Sequence, residues 1–325
     1  MATSPVTSDH VSVETLRTLQ LKAVDTYQNE PSLKSMLCFP EWRDTIEVYQ
    51  SPKTMRKLGA DTELATHEKV DVQTITIPEP EKFGTAYGIT QDSLKRGVTS
   101  LQVMQEFATA IDSDRRLVAQ MIVKTMLTDG GWWDGTVAPP RAANNSMTAA
   151  HEHYIAYNVA GVPILAHVAR GKRLLNEHGI TGDIIAMWNG DQIEKMEVAA
   201  EWSGAAARKS ELLEKLQIKG FDPAGAFYTA GVLWIQNDYM PSGYGWMGCL
   251  NELYKPLAWR YAFQPDDTQD GLIRYTRPED EQYYKNESFI RWGACVCAMR
   301  SLGVAIDLNH ATYSAPATIT EWDNI

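Results

Sequence analysis

The sequence predicts an α+β fold. One segment, Thr99 to Thr128, carries apolar residues at three- and four-residue spacing over about eight turns. Short strand-like runs stand at 70–77 (VDVQTITI), Asp183–Trp188, 231–236 (GVLWIQ), Phe289–Met299 and Gly303–Leu308. Helices and strands follow one another without regular alternation, and that irregular order sets the class.

The first 50 residues read as an N-terminal arm. Helical periodicity is short there, from Val13 to Ala23, and Pro31, Pro40 and Pro52 interrupt the chain. From Ser51 to Tyr87 large apolar residues are few and charges of both signs are common. Val70 and Val72 fall on one face of a strand and Ile75 and Ile77 on the other. With no face apolar throughout, this strand is not expected to sit on a hydrophobic core, and Pro78 and Pro80 end it. A two-stranded excursion that projects from the body is expected. Such a hairpin is barely stable alone and needs a partner surface.

The long helix has its apolar stripe at Met104, Phe107, Ala108, Ile111, Val118, Ile122 and Met126. Gln105, Asp112, Asp114, Arg115 and Lys124 are assigned to the opposite, polar face. Thr99 or Ser100 caps its start, and Gly130-Gly131 follow its end. A loop covers 130–150, and a second helix covers Val162 to Glu177. The strand Asp183–Trp188 meets an Asn-Gly turn and runs straight into a helix from Asp191, with further helix from Glu201 to Leu216. The stretch 237–271, rich in Tyr, Trp, Gly and Pro, is expected to be irregular.

The 325 residues include 41 acidic and 30 basic side chains, a formal charge of −11. That balance excludes a protein whose main task is to coat nucleic acid, because phosphate contacts need clustered Lys and Arg. No run of eighteen apolar residues is present to span a membrane, and the N-terminal residues lack a signal-peptide layout. Four cysteines are too few and too scattered for a disulfide framework. Cys295 and Cys297 share a face of an extended segment and read as packed thiols.

Candidate chemistry is thin. Gly243, Gly245 and Gly248 match a dinucleotide-binding pattern in form, but Trp246 and Met247 fill the sites that should be small. His151 and His153 flank Glu152 and read as surface histidines rather than metal ligands. No nucleophile elbow and no phosphate-cradling loop motif occurs. Asp266-Asp267 and Glu279-Asp280-Glu281 read as solvated turns. No catalytic, cofactor-binding or metal-binding residue is therefore assigned. Ten Trp and fourteen Tyr point instead to large contacts.

The order of the segments carries a resemblance. FGTAYGITQDSLKRG at 83–97 leads into the long helix, ITGDIIAMWNGDQIEKM follows at 180–196, and DEQYYKNESFIRWGACVCAMRSLGVAI closes at 280–306. This arrangement, over roughly residues 50–308, resembles the major capsid protein of tailed bacteriophages, the Hong Kong 97-like fold. The resemblance implies an N-terminal arm (1–50), an extended loop (51–87) and a peripheral domain with a spine helix (88–179). An axial domain (180–279), a return to the peripheral domain (280–300) and a C-terminal strand and tail (301–325) would follow.

The resemblance also implies a subunit that self-assembles into an icosahedral head around double-stranded DNA. Its partners would be copies of itself in hexamers and pentamers, with portal, scaffolding or decoration proteins. An encapsulin-type shell of the same fold is the alternative, and a soluble α+β enzyme a more distant one. In the extended loop, Lys57, Asp61, Glu63, Glu68 and Lys69 are the expected contacts with a neighbouring subunit. Some members of the family crosslink a loop Lys to an Asn. Lys69 and Asn286 stand at suitable places, but no acidic residue is found on the expected strand, so crosslinking is not expected.

Overall fold

The computed structural model describes residues 7, 9–49, 72–90, 92, 96–128, 153–158, 165–176, 183–198, 227–229, 231–250, 255–262, 270–277 and 283–317. The arm holds helices α1 (Val13–Asn29) and α2 (Leu33–Leu37), followed by strands β1 (Cys38–Glu41) and β2 (Thr45–Tyr49). Strands β3 (Val72–Thr76) and β4 (Glu81–Thr90) precede the long helix α3 (Ser100–Thr128). Next come β5 (Tyr154–Ala156), α4 (Leu165–Asn176), β6 (Asp183–Trp188) and α5 (Gly190–Val198). The remaining elements are β7 (Phe227–Thr229), β8 (Val232–Gln236), β9 (Tyr244–Leu250), β10 (Leu257–Arg260), β11 (Ile273–Arg277), β12 (Tyr283–Cys297) and β13 (Gly303–Asp307).

Helix α3 begins where its local chemistry dictates. Thr99 accepts the Gln102 backbone N–H on its hydroxyl at 3.2 Å, and Gln102 accepts the Thr99 N–H at 3.0 Å. This reciprocal pair satisfies two donors that the helix start would leave unpaired. At 1.5 Å per residue, its 29 residues reach about 43 Å. Ile122, Val123, Met126 and Leu127 are fully buried.

Two sheets account for most strands. In the first, β1, β10, β12 and β11 lie in that order and β4 also pairs with β12. In the second the order is β5, β13, β9, β6, β8, β7. The six-stranded sheet is apolar on both faces because both are covered. Ile185, Met187, Leu233, Ile235 and Trp246 pack in one core with Val118, Ile122 and Met126 of α3. Ile184, Ala186, Trp188, Trp234 and Met247 pack in another with Val168 and Leu175 of α4 and Ile193 and Met196 of α5. The first core continues through Leu37, Cys38, Leu257, Trp259 and Cys297 into the other sheet. The C-terminal half of α3 is thus packed by both sheets.

Several expectations are corrected. The stretch 237–271 contains two buried strands, β9 and β10, whose Tyr and Trp side chains fill a core rather than an irregular surface. Strand β12 starts six residues earlier than expected, at Tyr283, because both β4 and β11 pair with its first half. Asp114, placed on the polar face of α3, is buried under β12 and α1. His153 is fully buried, since it enters the sheet just before β5, and its Nδ1 lies 3.0 Å from the Gly303 carbonyl oxygen. His167 is buried as well, stacked on Tyr157 at 4.5 Å between ring centres. His151 and the expected helix at 201–216 lie outside the described residues.

Candidate subunit interface

The expected projecting loop has a firm root. Strands β2 and β3 pair antiparallel from Thr45 opposite Thr76 to Tyr49 opposite Val72, so the two ends of the described chain here, Tyr49 and Val72, lie side by side. Residues 72–77 are not bare, as their sequence pattern suggested. Ile46, Ile75 and Ile77 bury against Ala258 of β10 and Ala298 beside β12. The pleat needs only this one alternate row to be apolar, because Thr74 and Thr76 on the opposite side of β3 are exposed.

Strand β4 also belongs to the body. It runs against β12 from Glu81 opposite Gly293 to Thr90 opposite Tyr283. Of the expected loop 51–87, residues 72–76 and 81–87 are therefore strands paired within the described residues, and 51–71 lie outside them. Lys57, Asp61, Glu63, Glu68 and Lys69 all fall within 51–71 and so lie outside the described residues. Asn286 lies on β12, in register with Gly88 and Arg277.

Next to the root, the corner between β1 and β2 is built by one carboxylate. Glu41 Oε1 accepts the backbone N–H of Trp42 at 3.0 Å and of Arg43 at 3.1 Å, and Arg43 also donates its guanidinium to both carboxylate oxygens. These bonds, with that of Arg43 first, hold the Glu41 carboxyl below the usual carboxylate range. The corner presents Trp42 half-exposed. Aromatic side chains in such positions suit protein contacts.

The arm lies along α3 and runs in the same direction. Leu16 packs with Val103, and Val24 with Phe107 and Ala110. Polar ties run beside this seam. Tyr27 donates its hydroxyl to Asp114 at 2.8 Å, Gln28 donates to the Leu272 carbonyl at 2.8 Å, and Lys34 pairs with Asp270. Burial pushes the Lys34 ammonium below its usual range, against the opposing charge of Asp270. A cavity of about 340 Å³ separates arm and body here, with Pro31, Lys34, Arg115, Tyr239 and Lys255 in its wall. Lys34 and Arg115 each face a carboxylate, of Asp270 and Glu30, so the charges in this wall are largely matched.

The glycine-rich pattern at 243–248 is a turn residue, Gly243, followed by sheet strand β9. A side chain at Gly245 would meet the Trp188 ring, and one at Gly248 the ring of Trp246. The glycines make room for indoles rather than for phosphates. Among the described residues, no three His, Cys, Asp or Glu side chains gather as metal ligands, and no helix is long and apolar enough to cross a membrane.

No family model matches the chain, and no curated protein matches it in sequence. Solved structures do match. A chain of Mycobacterium phage Patience is 15% identical, with 96% of this chain and 92% of that one covered at a TM-score of 0.61. A chain of the holo-SrpI encapsulin complex from Synechococcus elongatus PCC 7942 is 10% identical, with 95% and 99% covered at 0.53. In the capsid of cyanophage P-SCSP1u the figures are 7%, 86% and 88%, at 0.50.

The chain has the capsid fold. Sequence reasoning missed Trp42. Its signal was the run Glu41-Trp42-Arg43 between two short apolar strands.

Proposed function

We propose that the protein is the major capsid subunit of a tailed phage, self-assembling into the icosahedral shell that encloses the double-stranded DNA genome. The observation that carries this reading is the match, over nine-tenths of both chains, to a phage structure at a TM-score of 0.61. The pairing of β2 with β3, which ends with Tyr49 opposite Val72, supports it as the base of a loop. Contact between the loop of one copy and the body of the next is heterologous, and such contacts form closed shells when their symmetry closes. Hexamers and pentamers of this chain would make the shell, with portal, scaffolding or decoration proteins as further partners, assembled in the host cytoplasm. The loop residues Lys57, Asp61, Glu63, Glu68 and Lys69 would carry polar contacts to the neighbour. With a charge of −11, the subunit would hold packaged DNA loosely and without sequence preference.

The encapsulin match at 0.53 favours one second reading, a bacterial compartment of the same fold around a protein cargo. Expression of the chain, followed by electron microscopy and gel filtration, tests both. Closed particles support a shell, and their contents, DNA or a cargo protein, separate the two readings. A chain that stays a small oligomer at every concentration refutes them. Replacing 50–71 by a short Gly-Ser turn should abolish particles while the body still folds.

A further inference from the structure

We infer that Arg260 is a positioning residue that sets the direction in which the paired strands β2 and β3 run out from the body, and thereby the geometry of assembly. The inference rests on the shell reading above.

Arg260 is the last residue of β10 and is held on both sides. It stands opposite Glu41 of β1 in a parallel ladder and opposite Ala294 of β12 in an antiparallel one. From that fixed base its Nη1 donates to two consecutive carbonyl oxygens, of Ile77 at 3.0 Å and of Pro78 at 3.1 Å. Ile77 is held through its other backbone group too, because its N–H donates to the Asp44 carbonyl at 2.8 Å. Asp44 is the residue before β2, the strand by which the chain departs. Ile77 therefore extends the β2–β3 pairing by one bond at its base, and the Arg260 guanidinium ties that base to the sheet by directed bonds.

The apolar contacts at the root cannot do this work. Ile46, Ile75 and Ile77 on Ala258 and Ala298 hold β2 and β3 down, but burial of apolar surface has no direction. Hydrogen bonds do, because they weaken steeply when bent. Ile77 is followed by Pro-Glu-Pro, which keeps the bend extended and leaves Pro78 and Pro80 without N–H groups to offer. The carbonyls of Ile77 and Pro78 are what the bend can present, and Arg260 takes both. A loop aimed in advance loses less freedom when it meets a neighbour, and that lowers the cost of each contact in the shell.

The test uses the full chain and the variants Arg260→Ala, Arg260→Gln and Arg260→Lys. In unassembled subunits, hydrogen exchange at the Ile75 and Ile77 amides should rise in Arg260→Ala and Arg260→Gln, while exchange in α3 stays as it was. The protein concentration at which particles appear should rise roughly tenfold, equivalent to about 1.4 kcal/mol per association step. Particles that do form should be open or irregular. Lysine keeps the charge and can reach one carbonyl, so Arg260→Lys should fall between wild type and Arg260→Ala. Should Arg260→Ala not fold, Arg260→Gln is read in its place.

Unchanged exchange at Ile77 overturns the inference, whatever the wild type assembles into. So do normal particles from the alanine or glutamine variant at the wild-type threshold, or assembly losses that only track melting temperature across the variants. A wild-type chain that makes no particles refutes the shell reading instead, and the exchange result then still decides whether Arg260 aims the loop.

Discussion

Arg291 of β12 and Asp114 of α3 form a two-pronged ion pair in the interior, Nε to Oδ1 at 2.5 Å and Nη2 to Oδ2 at 2.6 Å. Both side chains are about 95% shielded from water, at 6% and 4% exposure. Tyr27 of α1 completes the group by donating to Asp114 Oδ2. Arm, long helix and sheet therefore converge on one carboxylate. Burial opposes the Arg291 charge, but the bonds and charge of Asp114 outweigh it and raise the guanidinium pKa.

Asp114→Ala should destabilise the subunit by about 3–5 kcal/mol, since it strands a buried guanidinium. Denaturant unfolding monitored by tryptophan fluorescence measures this. Tyr27→Phe keeps the ion pair and should cost only about 0.5–1.5 kcal/mol. Equal losses in the two variants would show that the pair is not the centre of the group.

At Gly245 an added Cβ would lie 2.5 Å from the Trp188 ring, and at Gly248 1.9 Å from the Trp246 ring. Both rings are fully buried and have nowhere to move. Gly245→Ala and Gly248→Ala should each cost about 1–3 kcal/mol or more through overpacking. The midpoint of chemical unfolding is the readout, and an unchanged midpoint would mean that the sheet gives way locally.

Docking of the first arm residues should depend on pH. Asp9 is drawn down from 3.8 to about 2, chiefly by the Ser100 hydroxyl at the start of α3 and then by Thr7. A carboxylate with a depressed pKa stabilises the docked form above the ordinary value and loses that effect as pH falls through the window from about 4 to about 2. The anion also sits at the positive end of the helix. Proteolysis at residues 9–12 should accelerate across that window, and Asp9→Asn should remove the pH dependence.

Burial keeps two thiols protonated. Cys249 is pushed up to about 11, and Cys38 well above its ordinary value by burial and by its side-chain hydrogen bond with Cys295. Neither should react with iodoacetamide at pH 8 in the folded subunit. Both should react once denaturant is added, and mass spectrometry of the labelled peptides reads the difference.

Sequence alone determined the elements whose signal is local. The stripe from Met104 to Met126 sets α3 to within one residue of its start, because a 3.6-residue period needs no knowledge of what covers it. The Asn-Gly turn after Trp188 likewise places the β6–α5 junction. The ordered set of such segments was enough to suggest the capsid fold.

Tertiary structure decided everything that depends on a partner far along the chain. A periodicity assigns Asp114 to the polar side of α3, and only β12, arriving with Arg291, makes that site an interior. Strands β9 and β10 hide in a stretch rich in Gly, Pro and Trp because each indole needs a glycine from a neighbouring strand, or from its own, to lie on. Ile75 and Ile77 gain a core only when Ala258 and Ala298 come beneath them. Local patterns report how a residue would like to be buried. Which surface buries it is settled by pairing between distant segments, and that is a property of the folded chain.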